Sequence, residues 1–160
     1  MGIEIERKFL LRNDDWRALA DEGVIYRQGY LVGGRRASVR VRLEGEQAFL
    51  NIKSMTLDVT RLEFEYPVPR EDAETMLAQL CEKPLIEKRR YRVPYAGRQW
   101  EIDVFEGENA GLVVAEIELS AADEEFPRPP WLGKEVSHDP RYYNVNLVHH
   151  PYRAWGGDGP

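Results

Sequence analysis

Residues 2–11, GIEIERKFLL, alternate strictly: Ile3, Ile5 and Phe9 share one parity, and Glu4, Glu6 and Lys8 the other. Successive side chains of a strand point to opposite faces, so an extended chain here has one apolar and one charged face. Most later extended segments repeat the pattern. Residues 36–44 set Val39, Val41 and Leu43 against Ser38, Arg40 and Arg42, and residues 47–54 set Ala48, Leu50 and Ile52 against Phe49, Asn51 and Lys53. Residues 60–68 set Leu62, Phe64 and Tyr66 against Arg61, Glu63 and Glu65. In 85–94, Lys88, Arg90 and Arg92 share a parity; in 99–105, Trp100, Ile102 and Val104 oppose Glu101 and Asp103; in 112–119, Val113, Ala115, Ile117 and Leu119 oppose Glu116 and Glu118. With residues 24–32, between Gly23 and the Gly33–Gly34 turn, this makes eight predicted strands.

Helices are expected between them. Asn13 is placed to cap a short one through Trp16 and Leu19. Pro69 and Pro84 bracket another, whose Ala73, Met76, Leu77, Leu80 and Cys81 form one apolar stripe. Ser120 is placed to cap a short helix through Phe126. Asp139–Pro140 has the cap-then-proline pattern that opens a last helix through Leu147 and Val148. Residues 1–150 read as a single domain and 151–160, rich in Gly and Pro, as a flexible tail. Eight strands with short links suggest an α+β fold: a closed eight-stranded antiparallel β-barrel with helices packed outside and a polar, charged lumen.

Charged residues make up 31% of the 160, so many charges must line a face, and the net charge of −6 argues against a general nucleic-acid binder. Cys81 is the only cysteine, which excludes an intrachain disulfide and a thiolate zinc site; it reads as a small hydrophobe on its helix. No apolar run is long enough to span a bilayer, and the early charges of Glu4, Glu6 and Arg7 do not suit a secretory signal, so a cytoplasmic location is expected. His138, His149 and His150 have no ligand spacing and read as surface residues. No Walker loop, dinucleotide fingerprint or serine-nucleophile motif is present.

A charged strand face is ordinarily a solvated one, with cross-strand ion pairs. Two features here favour an inward-facing set instead. Nearly every strand also has an apolar face that needs cover, and the signs are segregated by strand, whereas a surface shaped for solubility mixes them. Carboxylates two apart on a strand lie roughly 6.5 Å apart on one face, a spacing suited to hard cations such as Mg²⁺ or Mn²⁺. The strand-borne Arg and Lys residues suit phosphate oxygens. Tyr30, in RQGYL, is expected near the mouth of the lumen, either as a ligand gate or as a structural residue.

The segments EIERKF, RQGYL, VRVRL, NIKS, RLEFEY, EKRRYRV, EIDVFEG and VVAEIEL, in this order, resemble the CYTH superfamily of triphosphate tunnel metalloenzymes. WLGKEVSHDPRYYN resembles the C-terminal part of its short bacterial branch, which includes inorganic tripolyphosphatases. The resemblance implies a barrel whose lumen binds a triphosphate and two Mg²⁺ or Mn²⁺ ions. It implies metal-site or water-positioning carboxylates at Glu4, Glu6, Glu63, Glu65, Asp103, Glu116 and Glu118, and phosphate ligands at Lys8, Arg40, Arg42, Lys53, Lys88 and Arg90. Glu4, Lys88 and Tyr30 are the candidate catalytic residues. Asn51 stands where a small hydroxyl residue is expected, and the basic Gly33–Arg36 loop has no assigned role. The family also contains adenylate cyclases, thiamine triphosphatases and RNA triphosphatases, so the fold does not settle the substrate. The expected reaction is metal-dependent hydrolysis of tripolyphosphate by in-line attack of water, without a covalent enzyme intermediate. The alternatives are a nucleotide-directed or thiamine triphosphate-directed enzyme, or a non-catalytic polyphosphate-binding module. A homodimer is expected, with no nucleic-acid or membrane partner.

Overall fold

A computed structural model describes residues 2–55 and 59–156. The alternating segments form strands β1 (Ile3–Leu11), β2 (Val24–Gly33), β3 (Ala37–Glu44), β4 (Gln47–Ser54), β5 (Thr60–Pro67), β6 (Ile86–Tyr95), β7 (Arg98–Glu106) and β8 (Val113–Glu118). All pair antiparallel in the order β1-β5-β4-β3-β2-β6-β7-β8, and β8 returns to β1 through Glu6↔Glu118 and Lys8↔Glu116, closing the barrel. The seam to β5 is short, Ile3↔Leu62 to Ile5↔Thr60. Beyond it β1 continues with a ninth strand, β9 (Leu132–Glu135), at Phe9 and Leu11.

Closure puts the charged parities inside, so the apolar parities need cover from outside. Helix α1 (Arg70–Gln79) supplies it for β3 and β4: Ala73 and Leu77 are buried with Val41, Leu43 and Ala48. A 3-10 turn, Asp15–Leu19, lays Trp16 on Tyr91 of β6 at 5.4 Å between ring centroids. Over β1 and β7, Phe126 and Trp131 pack edge-on against Trp100, at 5.6 Å each. Cover is incomplete along the β1–β5 seam, where Ile3, Leu62, Phe64 and Tyr66 remain exposed.

At one end of the barrel the inward parity turns apolar. Ile86, Phe105 and Val114 continue the faces of Lys88, Asp103 and Glu116, and they pack with Tyr142, Val145, Leu147, Val148 and Trp155. Helix α2 (Asn144–His149) therefore closes an end of the lumen; it does not lie on the outer wall. Asp139 behaves as the expected cap, accepting a hydrogen bond from the Arg141 backbone N–H at 3.1 Å, but a 3-10 turn (Pro140–Tyr142) precedes α2.

Three local expectations are corrected. No helix forms over residues 120–126: the Ser120 N–H donates to Glu124 Oε1 at 2.6 Å in a turn, and Phe126 is drawn onto Phe9 and Trp100. Strand β9 lies in sequence read as turn, because its four residues carry too little alternation to register. The chain is also folded beyond residue 150. Trp155 is 3% exposed, donates from Nε1 to the His150 carbonyl at 3.0 Å, and meets Tyr142 and Tyr152 edge-on. The rest of the expected tail, residues 157–160, lies outside the described residues. No helix among those described is long and apolar enough to cross a membrane.

Truncating a buried tryptophan removes large apolar area and leaves a void, typically at about 3–5 kcal/mol. Trp155→Ala should lower the unfolding free energy by that order in urea denaturation; a flexible tail would give no change.

Candidate active site

The lumen holds a cavity of about 240 Å³. Of the sequence-predicted site residues, Glu4, Glu6, Lys8, Tyr30, Arg40, Arg42, Lys53, Glu63, Glu65, Lys88, Arg90, Glu116 and Glu118 line it. Asp103 does not. It lies fully buried behind the wall, accepting from Lys88 Nζ at 2.8 Å and from Arg90 at 2.7 and 2.9 Å, so both of its oxygens hold cations. Asn51 also lies behind the wall, between the Arg42 guanidinium (3.1 Å) and Glu65 (2.9 Å), where it orients those two groups. Tyr30 is at the closed end, in the apolar plug, and is the hydrogen-bond partner of Arg40; its expected place at the mouth is corrected.

Arg61, which the sequence places on the charged parity of β5 without a role, reaches Glu4 at 3.7 Å and Glu6 at 3.9 Å and stacks on Tyr143. Its parity on β5 was the available signal. Gln28, Glu101, Tyr143 and Asn144 also line the cavity. Glu101 is on the charged parity read from the sequence, and Gln28 shares the parity of Tyr30. Tyr143 and Asn144 come from the segment that closes the barrel, and no periodicity marks them.

Register explains the electrostatics. Across β1, β8 and β7, Glu6 stands opposite Glu118 and Glu101 opposite Glu116, which are like-charge pairs. Burial, with the charges of Glu116 and Glu4, pushes Glu6 well above the usual carboxylate range. Burial alone would raise Glu116 too, but Lys8, Arg90 and Lys88 override it and hold Glu116 well below that range. Glu101 and Glu118 are both raised, by burial first and by neighbouring carboxylates.

The opposite wall is basic. Burial pulls Lys88 down to about 8, against the pull of Asp103, because Asp103 also serves Arg90. Arg40 is 7% exposed, and its Nε has no hydrogen-bond partner; among the described residues no carboxylate stands within 4.0 Å of its guanidinium. Lys53 bridges Glu4 at 3.1 Å and Glu63 at 3.4 Å, and Arg42 reaches Glu65 at 3.2 Å.

Among the described residues no three carboxylate or imidazole groups stand in a metal-binding array. Lys53 and Arg61 engage Glu4, and Lys8 and Arg90 engage Glu116. The donor chemistry nevertheless fits a hard divalent cation: the possible metal donors that β1, β7 and β8 bring to the cavity, Glu4, Glu6, Glu101, Glu116 and Glu118, are carboxylates, and their mutual repulsion is what such a cation would relieve.

The chain matches the CYTH domain family model over residues 2–152. It is 48% identical over 153 residues to an inorganic triphosphatase of Acetivibrio thermocellus, covering 96% of this chain and 97% of that protein. It is 36% identical over 150 residues to an inorganic triphosphatase of Nitrosomonas europaea, covering 91% and 96%. The crystal structure of an inorganic triphosphatase superposes with a TM-score of 0.65 at 34% identity, covering 92% of this chain and 95% of that one.

The Glu6 shift has a testable sign. Its folded value lies above its unfolded one, so its contribution to stability is full below the unfolded value and is lost as pH rises through the folded one. With chelator present, the stability of the wild type relative to Glu6→Gln should therefore fall as pH is raised from 5 to 9 in urea titrations. A constant difference would contradict the raised Glu6 value.

Proposed function

The chain belongs to the CYTH domain family, and on that premise we propose that it hydrolyses inorganic tripolyphosphate to diphosphate and phosphate with Mg²⁺ or Mn²⁺. The observation that carries this reading is Arg40, a buried guanidinium with an orphan Nε and, among the described residues, no carboxylate ion pair, in a cavity that also presents Lys8, Lys53, Arg61, Lys88 and Arg90. Burying an unpaired charge is prohibitive unless an anion completes it. Consecutive phosphates match cations spread over β1, β3, β4, β5 and β6.

The cavity's aromatic rings favour an inorganic substrate. Tyr26 is stacked by Arg90 at 5.1 Å, Arg42 at 5.6 Å and Lys88 at 5.8 Å. Tyr143 is stacked by Arg61 at 5.2 Å and Lys8 at 5.7 Å. Tyr30 is packed in the apolar plug. Each cavity-lining ring among the described residues thus already has a cation over it or lies in the plug, which supports an inorganic substrate over one with a nucleobase or a thiazolium.

A divalent cation held by Glu4, Glu6, Glu116 and Glu118 would supply Lewis-acid polarisation of phosphate oxygens. The chain's own residues do the rest. Arg40, Lys53, Arg61 and Arg90 hold the chain of phosphates and offset charge as the anhydride bond breaks. Tyr30 fixes the Arg40 guanidinium. Lys88, with its amine near neutrality, is placed to take the proton lost by attacking water, and Asp103 orients it.

Phosphate release should be measured from tripolyphosphate, ATP and thiamine triphosphate, with Mg²⁺ and with chelator. Tripolyphosphate should dominate, and chelator should abolish its turnover. Equal release from ATP, or cyclic AMP formation, would overturn the inorganic reading, and tight tripolyphosphate binding without turnover would favour a binding module. A hydrogen bond to a charged group contributes roughly 1.5–3 kcal/mol, so Arg40→Met should reduce kcat/KM for tripolyphosphate by on the order of 10- to 100-fold.

A further inference from the structure

Gln28 projects from β2 into the cavity wall and is fully buried, yet neither Nε2 nor Oε1 has a hydrogen-bond partner among the described residues. A buried amide with both ends unmet is costly and needs an explanation. Its surroundings do not supply partners. Gln28 lies opposite Arg42 on β3 and opposite Ile86 on β6, with Tyr26 and Tyr30 two residues away on its own face. Each polar neighbour is committed elsewhere: Arg42 to Glu44, Asn51 and Glu65, Lys88 to Asp103, and Arg40 to Tyr30. Neither end of the amide is satisfied, so either orientation leaves one donor and one acceptor open.

The acceptor is the informative half. A triphosphate offers only acceptors, so it can satisfy the amide N–H but not the carbonyl oxygen. A water molecule can. Of the surrounding cations only Lys88, in its neutral amine form, has an acceptor to offer that water. A group that donates to a phosphate oxygen and accepts from water holds the two reactants of hydrolysis side by side.

We propose that Gln28 positions the attacking water, with Oε1 accepting from the water while Nε2 donates to an oxygen of the phosphoryl group under attack. This rests on the tripolyphosphatase reading above. In the step, the water oxygen bonds to phosphorus, the P–O bond to the diphosphate leaving group breaks with its electron pair, and the water proton passes to the neutral amine of Lys88, which becomes the ammonium paired with Asp103. Gln28 transfers no proton; it fixes the geometry of attack. Orientation of an attacking water by a glutamine recurs in phosphoryl-transfer sites.

The test compares wild type with Gln28→Leu and Gln28→Glu in tripolyphosphate hydrolysis and thermal unfolding, together with calorimetric tripolyphosphate binding in chelator. Gln28→Leu should leave the melting temperature unchanged or raised, since an unmet amide is removed. It should weaken binding by less than about 10-fold, the worth of one neutral hydrogen bond, and lower kcat on the order of 100-fold or more, the scale of losing one placed hydrogen-bonding group in an active site. Gln28→Glu keeps the acceptor and adds a charge facing the anion, so it should hold kcat above that of Gln28→Leu while KM rises. Retained kcat in Gln28→Leu overturns the proposal, as does a fall in melting temperature that accounts for the loss. A wild type that binds tripolyphosphate without turnover overturns the hydrolase reading and this proposal together, whereas a fully active Gln28→Leu overturns only the latter.

Discussion

Asp103 shows what holds the lumen together. A carboxylate with no exposure is tolerable only if charge and hydrogen bonds replace the water it has lost. Lys88 and Arg90 do this, at 2.8 and 2.7 Å. Arg90 in turn reaches Glu101 and Glu116, and Glu116 pairs with Lys8. On the other side of the barrel Lys53 ties Glu4 to Glu63, and Arg61 ties Glu4 to Glu6. These chains of alternating sign cross the strand boundaries and run around the interior wall. Breaking one member leaves a buried partner uncompensated, so the network fixes side-chain positions even where its net stabilisation is small.

A charged interior inverts the usual arrangement of a small barrel and explains the outer elements. The apolar faces of β3, β4, β6, β7 and β8 must be covered from outside. Three separate segments do so: α1, the turn bearing Trp16, and the stretch carrying Phe126 and Trp131. Their anchors are large aromatic and aliphatic side chains, because each segment is short and must remove much apolar area from water with few residues. The C-terminal segment has a different task. With Leu147, Val148 and Trp155 it seals an end of the lumen, making a cavity walled on several sides and lowering the local dielectric around the charges.

Period-two alternation made seven of the barrel strands legible and flanking glycines the other, β2, and parity alone assigned nearly every cavity-lining charge. Depth along the barrel was not legible. Tyr30 was expected at the mouth and lies at the floor, because depth follows from the stagger between strands and not from any one strand's pattern. Asp103 and Asn51 share the inward parity of their neighbours but are short side chains screened by Arg90 and Arg42, so parity could not separate lining from support. The pKa shifts were equally hidden. Glu6 is raised and Glu116 lowered because of which residues stand across from them, and register is not written in a single sequence.

The same network constrains how anion and cation share the cavity. Lys53 and Arg61 are phosphate-binding candidates, yet in this structure they neutralise Glu4, a metal-binding candidate. An anion that draws these cations toward itself leaves Glu4 short of positive charge, and a divalent cation can restore it. A cation taken up among Glu4, Glu6 and Glu116 conversely frees Lys53 and Arg61 for phosphate. Each ligand removes the competitor of the other, and linkage requires the effect to be equal in both directions. Glu6, whose carboxyl is held well above the usual range, must lose its proton as the cation enters, so cation uptake carries a pH dependence of its own. An enclosed site built from mutually neutralising charges therefore favours joint occupancy over either ligand alone, which is the state that hydrolysis of a metal-complexed polyanion requires.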